Sequence, residues 1–196
     1  MAEDIRKVIV EAARTLLMDK KKRKLTVKDI VEECGITRQA FYYHFEDIPD
    51  MIRWTLEQSV EWLVVQCLAQ GDMESCIRYF LVVASSAKPL MQRSYESNYG
   101  TETEKLVEEA CRNLFERIVE ECHLYDDCTL PERKFLLRYH SQAIMGILEG
   151  WNKEDTANLD FIVHQVQQIL TGKNVMTGVP LTHSEALAKM ERMKNR

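Results

Sequence analysis

Apolar residues recur every three or four positions along almost the whole of this sequence. That spacing places them on one face of a helix, whereas a half-buried strand needs strict alternation. No alternating run here is long enough to read as a strand, and Gly (7) and Pro (4) leave few points at which a helix must break. The expected fold class is all-α. At 196 residues, with 45% hydrophobic and 29% charged residues, the chain has globular proportions and can bury a full core without disulfides or metals.

The periodicity predicts a first helix over 4–18, carried by Ile5, Val8, Ile9, Ala12 and Leu16, and then the basic run Lys20–Lys24. Two short helices follow, over 26–34 and 37–45. A long helix over 48–69 and another over 73–86 come next, the latter using Met73, Ile77, Phe80, Leu81 and Ala84. Residues 88–100 read as irregular, punctuated by Pro89 and Gly100. Helices are expected again over about 102–123, where Cys111 and Cys122 fall on the apolar face, and from Thr129-Leu130-Pro131-Glu132 to about 150. One more starts at Asp155 or Thr156 and runs to about 170. The stretch 173–180 is loop-like, and Thr182 with Glu185 caps a weak last helix bearing Leu187 and Met190.

Several classes of protein find little support. No apolar run reaches the roughly 18–20 residues that span a bilayer, and the N-terminus lacks the basic and apolar regions of a signal peptide, so a cytoplasmic protein with no membrane partner is expected. Six scattered cysteines then read as reduced thiols. Cys122-His123…Cys128 lacks a second ligand pair, so no metal is expected. His140, His164 and His183 stand without a nucleophile or ligand partner, and no phosphate-binding glycine loop or carboxylate pair stands out. The expectation is a protein that is not an enzyme and carries no cofactor.

The informative stretch is 26–45. Thr26 opens a short helix with Asp29 as its capping partner, and Gly35 closes it. Thr37 caps the second helix. Helix, glycine turn, helix is the helix-turn-helix arrangement: the first helix braces on the DNA backbone and the second lays its N-terminal side chains in the major groove. Those side chains here are Thr37, Arg38, Gln39 and Ala40. Arg pairs with guanine O6 and N7, Gln with adenine N6 and N7, and a small Ala touches a thymine methyl. Phe41 and Phe45 must be buried, which leaves Tyr42, Tyr43 and His44 near the rim, in reach of phosphates. Alone, this pattern is weak, since capped helix pairs occur in many helical proteins.

The whole string from Ile30 to Phe45, reading Ile-Val-Glu-Glu-Cys-Gly-Ile-Thr-Arg-Gln-Ala-Phe-Tyr-Tyr-His-Phe and followed by Met51-Ile52, resembles the TetR family of bacterial transcriptional regulators. Cys34 and Val31 stand where that family usually has Ala, and both are small enough for the packing. Ile48 stands where it commonly has a Lys that contacts phosphate, a contact for which Lys28 and Arg53 are partial substitutes. The resemblance implies phosphate or base contacts from Thr26, Lys28, Tyr42, Tyr43 and His44. It also implies a DNA-binding domain over 1–47, an effector-binding and dimerisation domain over 48–172, and a tail over 173–196. Met145-Gly146-Ile147-Leu148-Glu149-Gly150-Trp151 looks like a helix found in a subset that includes activators of dihydroxyacetone kinase operons.

On this reading the partners are a palindromic double-stranded DNA operator, a second copy of the chain, and a small-molecule effector or a protein. The implied dimer helices are about 131–150 and 156–170. There Gly146 and Gly150 allow close approach, and Ile144, Ile147, Leu148, Ile162, Val163, Val166 and Ile169 are candidate interface residues. Trp62, Tyr79, Phe80, Met91, Tyr95, Tyr99, Phe115 and Trp151 either fill the core or line an effector pocket between helices. The net charge of -5 is unevenly placed: residues 1–54 hold 11 basic and 10 acidic side chains, and the remainder 15 and 21. The acidity therefore lies away from the expected DNA-binding part.

Overall fold

The computed structural model describes residues 4–19 and 24–171. Lys20–Arg23 of the basic run and the tail with its expected helix at Thr182 lie outside the described residues. Among those described are nine helices and no strand: α1 (Ile5–Met18), α2 (Val27–Cys34), α3 (Arg38–His44), α4 (Ile48–Leu68), α5 (Met73–Tyr95), α6 (Gly100–Glu121), α7 (Leu130–Gly150), α8 (Lys153–Ala157) and α9 (Leu159–Leu170). None is long and apolar enough to cross a membrane.

Helices α1–α3 and the first turns of α4 share one core. Ile9, Ala13, Leu16, Leu25, Ile30, Val31, Phe41, Phe45, Ile48 and Met51 are buried together there, forming an N-terminal head. Because Ile48 and Met51 belong to α4, that helix is rooted in the head and then runs on into the second unit. The second core gathers Ile77 and Leu81 of α5, Ile144 of α7, Trp151, and Val163, Val166 and Leu170 of α9.

Helix α5 packs against α1, α4, α6, α7 and α9, and it corrects the sequence reading. It does not stop at 86 but continues through Pro89 to Tyr95. A proline inside a helix costs about 3 kcal/mol, because one N–H is lost and the ring crowds the preceding turn. The packing of α5 against five other helices offsets that cost. Beside the proline, Lys88 Nζ donates to the carbonyls of Glu149 (2.7 Å) and Trp151 (2.6 Å), fastening α5 to the open end of α7. The break expected near residue 88 falls instead at the α5–α6 corner, 96–99. Gly100 is required there: a Cβ on it would lie 2.1 Å from the Tyr95 carbonyl oxygen.

Two smaller corrections follow the same logic. The helix expected from Asp155 or Thr156 begins earlier, as α8, because Asn152 and Asp155 form a reciprocal capping box, and it breaks at Asn158 before α9. Cys122, expected on the buried face of α6, is exposed just past the helix end, and Val119 takes the buried position.

The α6–α7 loop bends through His123 (φ 52°) and Tyr125 (φ 66°), a conformation unfavourable for side chains with a Cβ. The bend places the Tyr125 ring parallel to His140 of α7 (centroids 5.9 Å), while Phe115 of α6 stacks at 6.0 Å. His140 is buried between these rings, and desolvation pushes its pKa below the usual 6.5.

Gly100→Ala is expected to destabilise the fold by about 1–3 kcal/mol, read as a lower urea midpoint, because backbone rather than a movable side chain blocks the new methyl. His140 makes stability pH-dependent. Its folded pKa is depressed, so the unfolded chain takes up the proton first, and stability present above about pH 6.5 is lost as the pH falls toward the folded value. Between about pH 7 and 5, His140→Phe should lose less stability than the wild type; equal losses would contradict the assignment.

Candidate nucleic-acid interface

The turn between α2 and α3 is built from three local features. Thr26 caps α2, its hydroxyl accepting from the Asp29 N–H (3.2 Å) and donating to the Asp29 carboxylate (2.6 Å). Gly35 closes α2 in the left-handed conformation at φ 66°, which glycine adopts without strain. Thr37 caps α3 by accepting from the Ala40 N–H at 3.1 Å. The two helices are thus fixed at a short, rigid corner before any long-range packing is considered.

Packing then decides which face of α3 looks outward. Phe41 is completely buried and Phe45 is 3% exposed, with the two rings 6.0 Å apart. The opposite face carries Arg38, Gln39, Tyr42 and Tyr43, all exposed, Tyr42 at 57% and Tyr43 at 84%. Two tyrosines so exposed have given up burial worth about 1.5–3 kcal/mol for a large apolar side chain. Ala40 and His44 lie half-buried at the flank, His44 against the edge of the Tyr43 ring at 5.0 Å. Thr26 and Lys28 of α2 are exposed, and Lys28 is 3.8 Å from Glu32.

The exposed surface of α3 has two guanine- or adenine-competent side chains, Arg38 and Gln39, one turn before two phenol hydroxyls that can reach phosphates. Arg53 of α4, the substitute for the absent lysine at Ile48, is exposed and 3.8 Å from Asp50. Ile48 itself is fully buried in the head core, so the departure from the family pattern serves packing.

The seat of the head was not legible in the sequence. Asn98, at the α5–α6 corner, brackets the backbone of Leu25: the Leu25 N–H donates to Asn98 Oδ1 (2.8 Å), and Asn98 Nδ2 donates to the Leu25 carbonyl (3.2 Å). Tyr99, placed by the sequence among the effector-pocket candidates, packs instead against the head core. Arg6 of α1 stacks over Phe45 (6.0 Å) and Trp54 (5.7 Å), another contact that spacing did not reveal.

The other effector candidates are dispersed. Trp151 is buried in the second core, where its indole N–H donates to Thr156, and Phe80 and Phe115 pack against that core. Trp62 is 49% exposed, its ring tilted against that of Tyr79 at 6.1 Å, and Met91 and Tyr95 are half-buried on α5. Of the dimer candidates, Ile144, Val163 and Val166 are already buried within the single chain, and Leu148 and Ile162 pack on the same core. Gly146, Ile147 and Ile169 are exposed. Exposed beside them in sequence register are Phe135 and Tyr139 on α7 and Phe161 on α9, which the periodicity did not single out.

A capped two-helix corner that presents a polar-aromatic face and buries the opposite one has the geometry of a helix-turn-helix. Residues 9–53 match the model of bacterial regulatory proteins of the tetR family. No curated protein matches the sequence significantly. Among solved structures, a dihydroxyacetone kinase operon activator, DhaS, is similar in fold with a TM-score of 0.58 at 18% identity, covering 86% of this chain and 94% of its own. The fatty acid degradation regulator FadR from Bacillus halodurans gives 0.51 at 16% identity, covering 88% and 97%. The head is thus a DNA-binding domain of the tetR type, and the fold of the rest is similar to that of these regulators.

Asn98→Ala would leave the buried N–H and carbonyl of Leu25 without partners, a loss of about 1–3 kcal/mol. The Leu25 amide should then exchange its hydrogen faster than those of the α9 core. Unchanged exchange would show that the bracket does not hold the head.

Proposed function

We propose that the chain binds a palindromic operator as a homodimer, represses the promoter it covers, and is released by a small-molecule effector. The exposed face of α3 carries this reading: Arg38, Gln39, Tyr42 and Tyr43 stand in solvent on a helix whose register Phe41 and Phe45 lock. On this assignment Thr37, Arg38, Gln39 and Ala40 meet base edges, while Thr26, Lys28, Tyr42, Tyr43 and His44 meet phosphates and the groove rim. Dimerisation uses the apolar residues left outside the core, Phe135, Tyr139, Gly146 and Ile147 on α7 with Phe161 and Ile169 on α9. Such a dimer sets the two recognition helices on half-sites about 34–36 Å apart, or a multiple of that. An effector acts only through its differential affinity for the two arrangements of the heads.

A second reading is that the protein activates transcription under the control of a protein partner. The dispersal of the aromatic candidates favours it, since Tyr99 sits in the head core and Trp62 faces outward. The description of a structure with a similar fold as an operon activator points the same way.

Selection of bound sequences from a random duplex pool would yield the operator, and binding to it by fluorescence anisotropy tests the assignments. Arg38→Ala and Gln39→Ala should each relax specificity at a single base-pair position, costing about 1–3 kcal/mol for the preferred base. Tyr42→Phe should weaken all sequences alike. A uniform loss from all three changes would overturn the base-reading roles, and failure to select any sequence would overturn the regulator reading itself.

A further inference from the structure

Three of the six cysteines come together where three helices end. Cys67 lies in the last turn of α4, Cys76 at the start of α5, and Cys122 just past the end of α6. They are graded in depth: Cys67 is 1% exposed, Cys76 is half-buried and Cys122 is exposed. As a thiol, Cys67 donates to the backbone carbonyl of Cys76, with Sγ 3.8 Å from the oxygen. As a thiolate it accepts from the Cys76 S–H, and Cys122 lies near enough to both for their charges to interact.

These contacts divide the labour among the three sulfurs. The Cys76 thiol holds Cys67 below the usual thiol range, although burial opposes it. The same contact, together with burial, pushes Cys76 up, so the pair shares one proton with Cys67 as the readier thiolate. The thiolate is the form that attacks, and Cys122 is the sulfur that solvent reaches. The other cysteines lack such a neighbour as their main influence. Cys34 donates to the Ile30 carbonyl of its own helix at 2.9 Å, and burial pushes Cys111 up to about 11.

We propose that Cys122, Cys76 and Cys67 form a relay that responds to hydroperoxides and ends in a Cys67–Cys76 disulfide joining α4 to α5. The Cys122 sulfur attacks the hydroperoxide, an S–O bond forms, the O–O bond breaks, and water or an alcohol leaves. The Cys76 sulfur then attacks the Cys122 sulfenic acid. An S–S bond replaces the S–O bond, and the hydroxyl leaves with the Cys76 proton as water. That step removes the S–H donor on which the Cys67 thiolate depends, stranding a charge in the interior. Cys67 therefore attacks the Cys76 sulfur, and Cys122 departs as a thiolate into solvent. In sum, two thiols and one hydroperoxide give one disulfide, one water, and a second water or an alcohol. The product ties down the end of α4 opposite to the one rooted in the head at Ile48 and Met51, so the oxidised chain holds α4 at one angle to α5. The chemistry is that of the second unit and does not depend on what the head binds.

The test treats reduced full-length protein with hydrogen peroxide, blocks the remaining thiols by alkylation, and maps tryptic peptides by mass spectrometry. Cys67 and Cys76 fall in one peptide, 54–78, and Cys122 and Cys128 in another, 118–133. The expected result is peptide 54–78 lighter by two hydrogens and free of alkylation, with 118–133 alkylated in full. Dithiothreitol should restore alkylation at all six cysteines. Cys122→Ser, a change at an exposed position, should slow the closure several-fold. Cys67→Ser should stop the relay one step early, with 54–78 and 118–133 joined through Cys76 and Cys122. A 54–78 peptide that stays alkylated in the wild type, whether or not Cys122 closes on Cys128 instead, would overturn the proposal. So would an unchanged rate of closure in Cys122→Ser.

Discussion

The head is attached to the rest of the chain in two ways of different kinds. Covalently, α4 leaves the head core at Ile48 and Met51 and runs on beside α6. Non-covalently, the α5–α6 corner grips it through the Asn98 bracket on Leu25 and the packing of Tyr99. One attachment alone would leave the head a hinge; two fix its orientation. The corner can serve only because Gly100 admits the Tyr95 carbonyl so closely. An effector or partner that moves α6 relative to α4 therefore has a mechanical route to the recognition helix, and no contact with the head is needed.

The head itself was nearly all legible in the sequence. Its caps are local: Thr26 with Asp29, Gly35 at a positive φ and Thr37 over Ala40 each act within five residues. The burial of Phe41 and Phe45 and the exposure of Tyr42 and Tyr43 follow from helix periodicity once the start of α3 is known. Beyond the head, legibility fell where the deciding interaction was distant. Pro89 reads as a break, but α5 passes through it because helices far along the chain pack on it and Lys88 reaches the end of α7. Tyr99 looks like a pocket aromatic, and only the fold brings it to the head. Ile144, Val163 and Val166 look like interface residues because a helix with an apolar stripe on each side does not announce which stripe meets its own core.

The distribution of charge gains meaning from the structure. The acidic excess of the second part is partly concentrated along the α4–α6 groove, where five glutamates meet two arginines, and one of those, Arg117, already bridges to Glu61 at 2.6 Å. The head is close to neutral, so broad attraction to the phosphate backbone is modest. On the proposed reading, recognition rests on the few side chains that α3 holds in solvent and on the pairing of two half-site contacts in a dimer.

Photo-crosslinking from α3 tests this account most directly. An azido-phenylalanine at position 43 is mild there, because Tyr43 is 84% exposed. Irradiation with the selected operator should yield protein–DNA adducts at two symmetry-related positions, separated by about ten base pairs or a multiple. Adducts scattered without regard to sequence, or none from position 43, would contradict the claim that this face of α3 enters the groove.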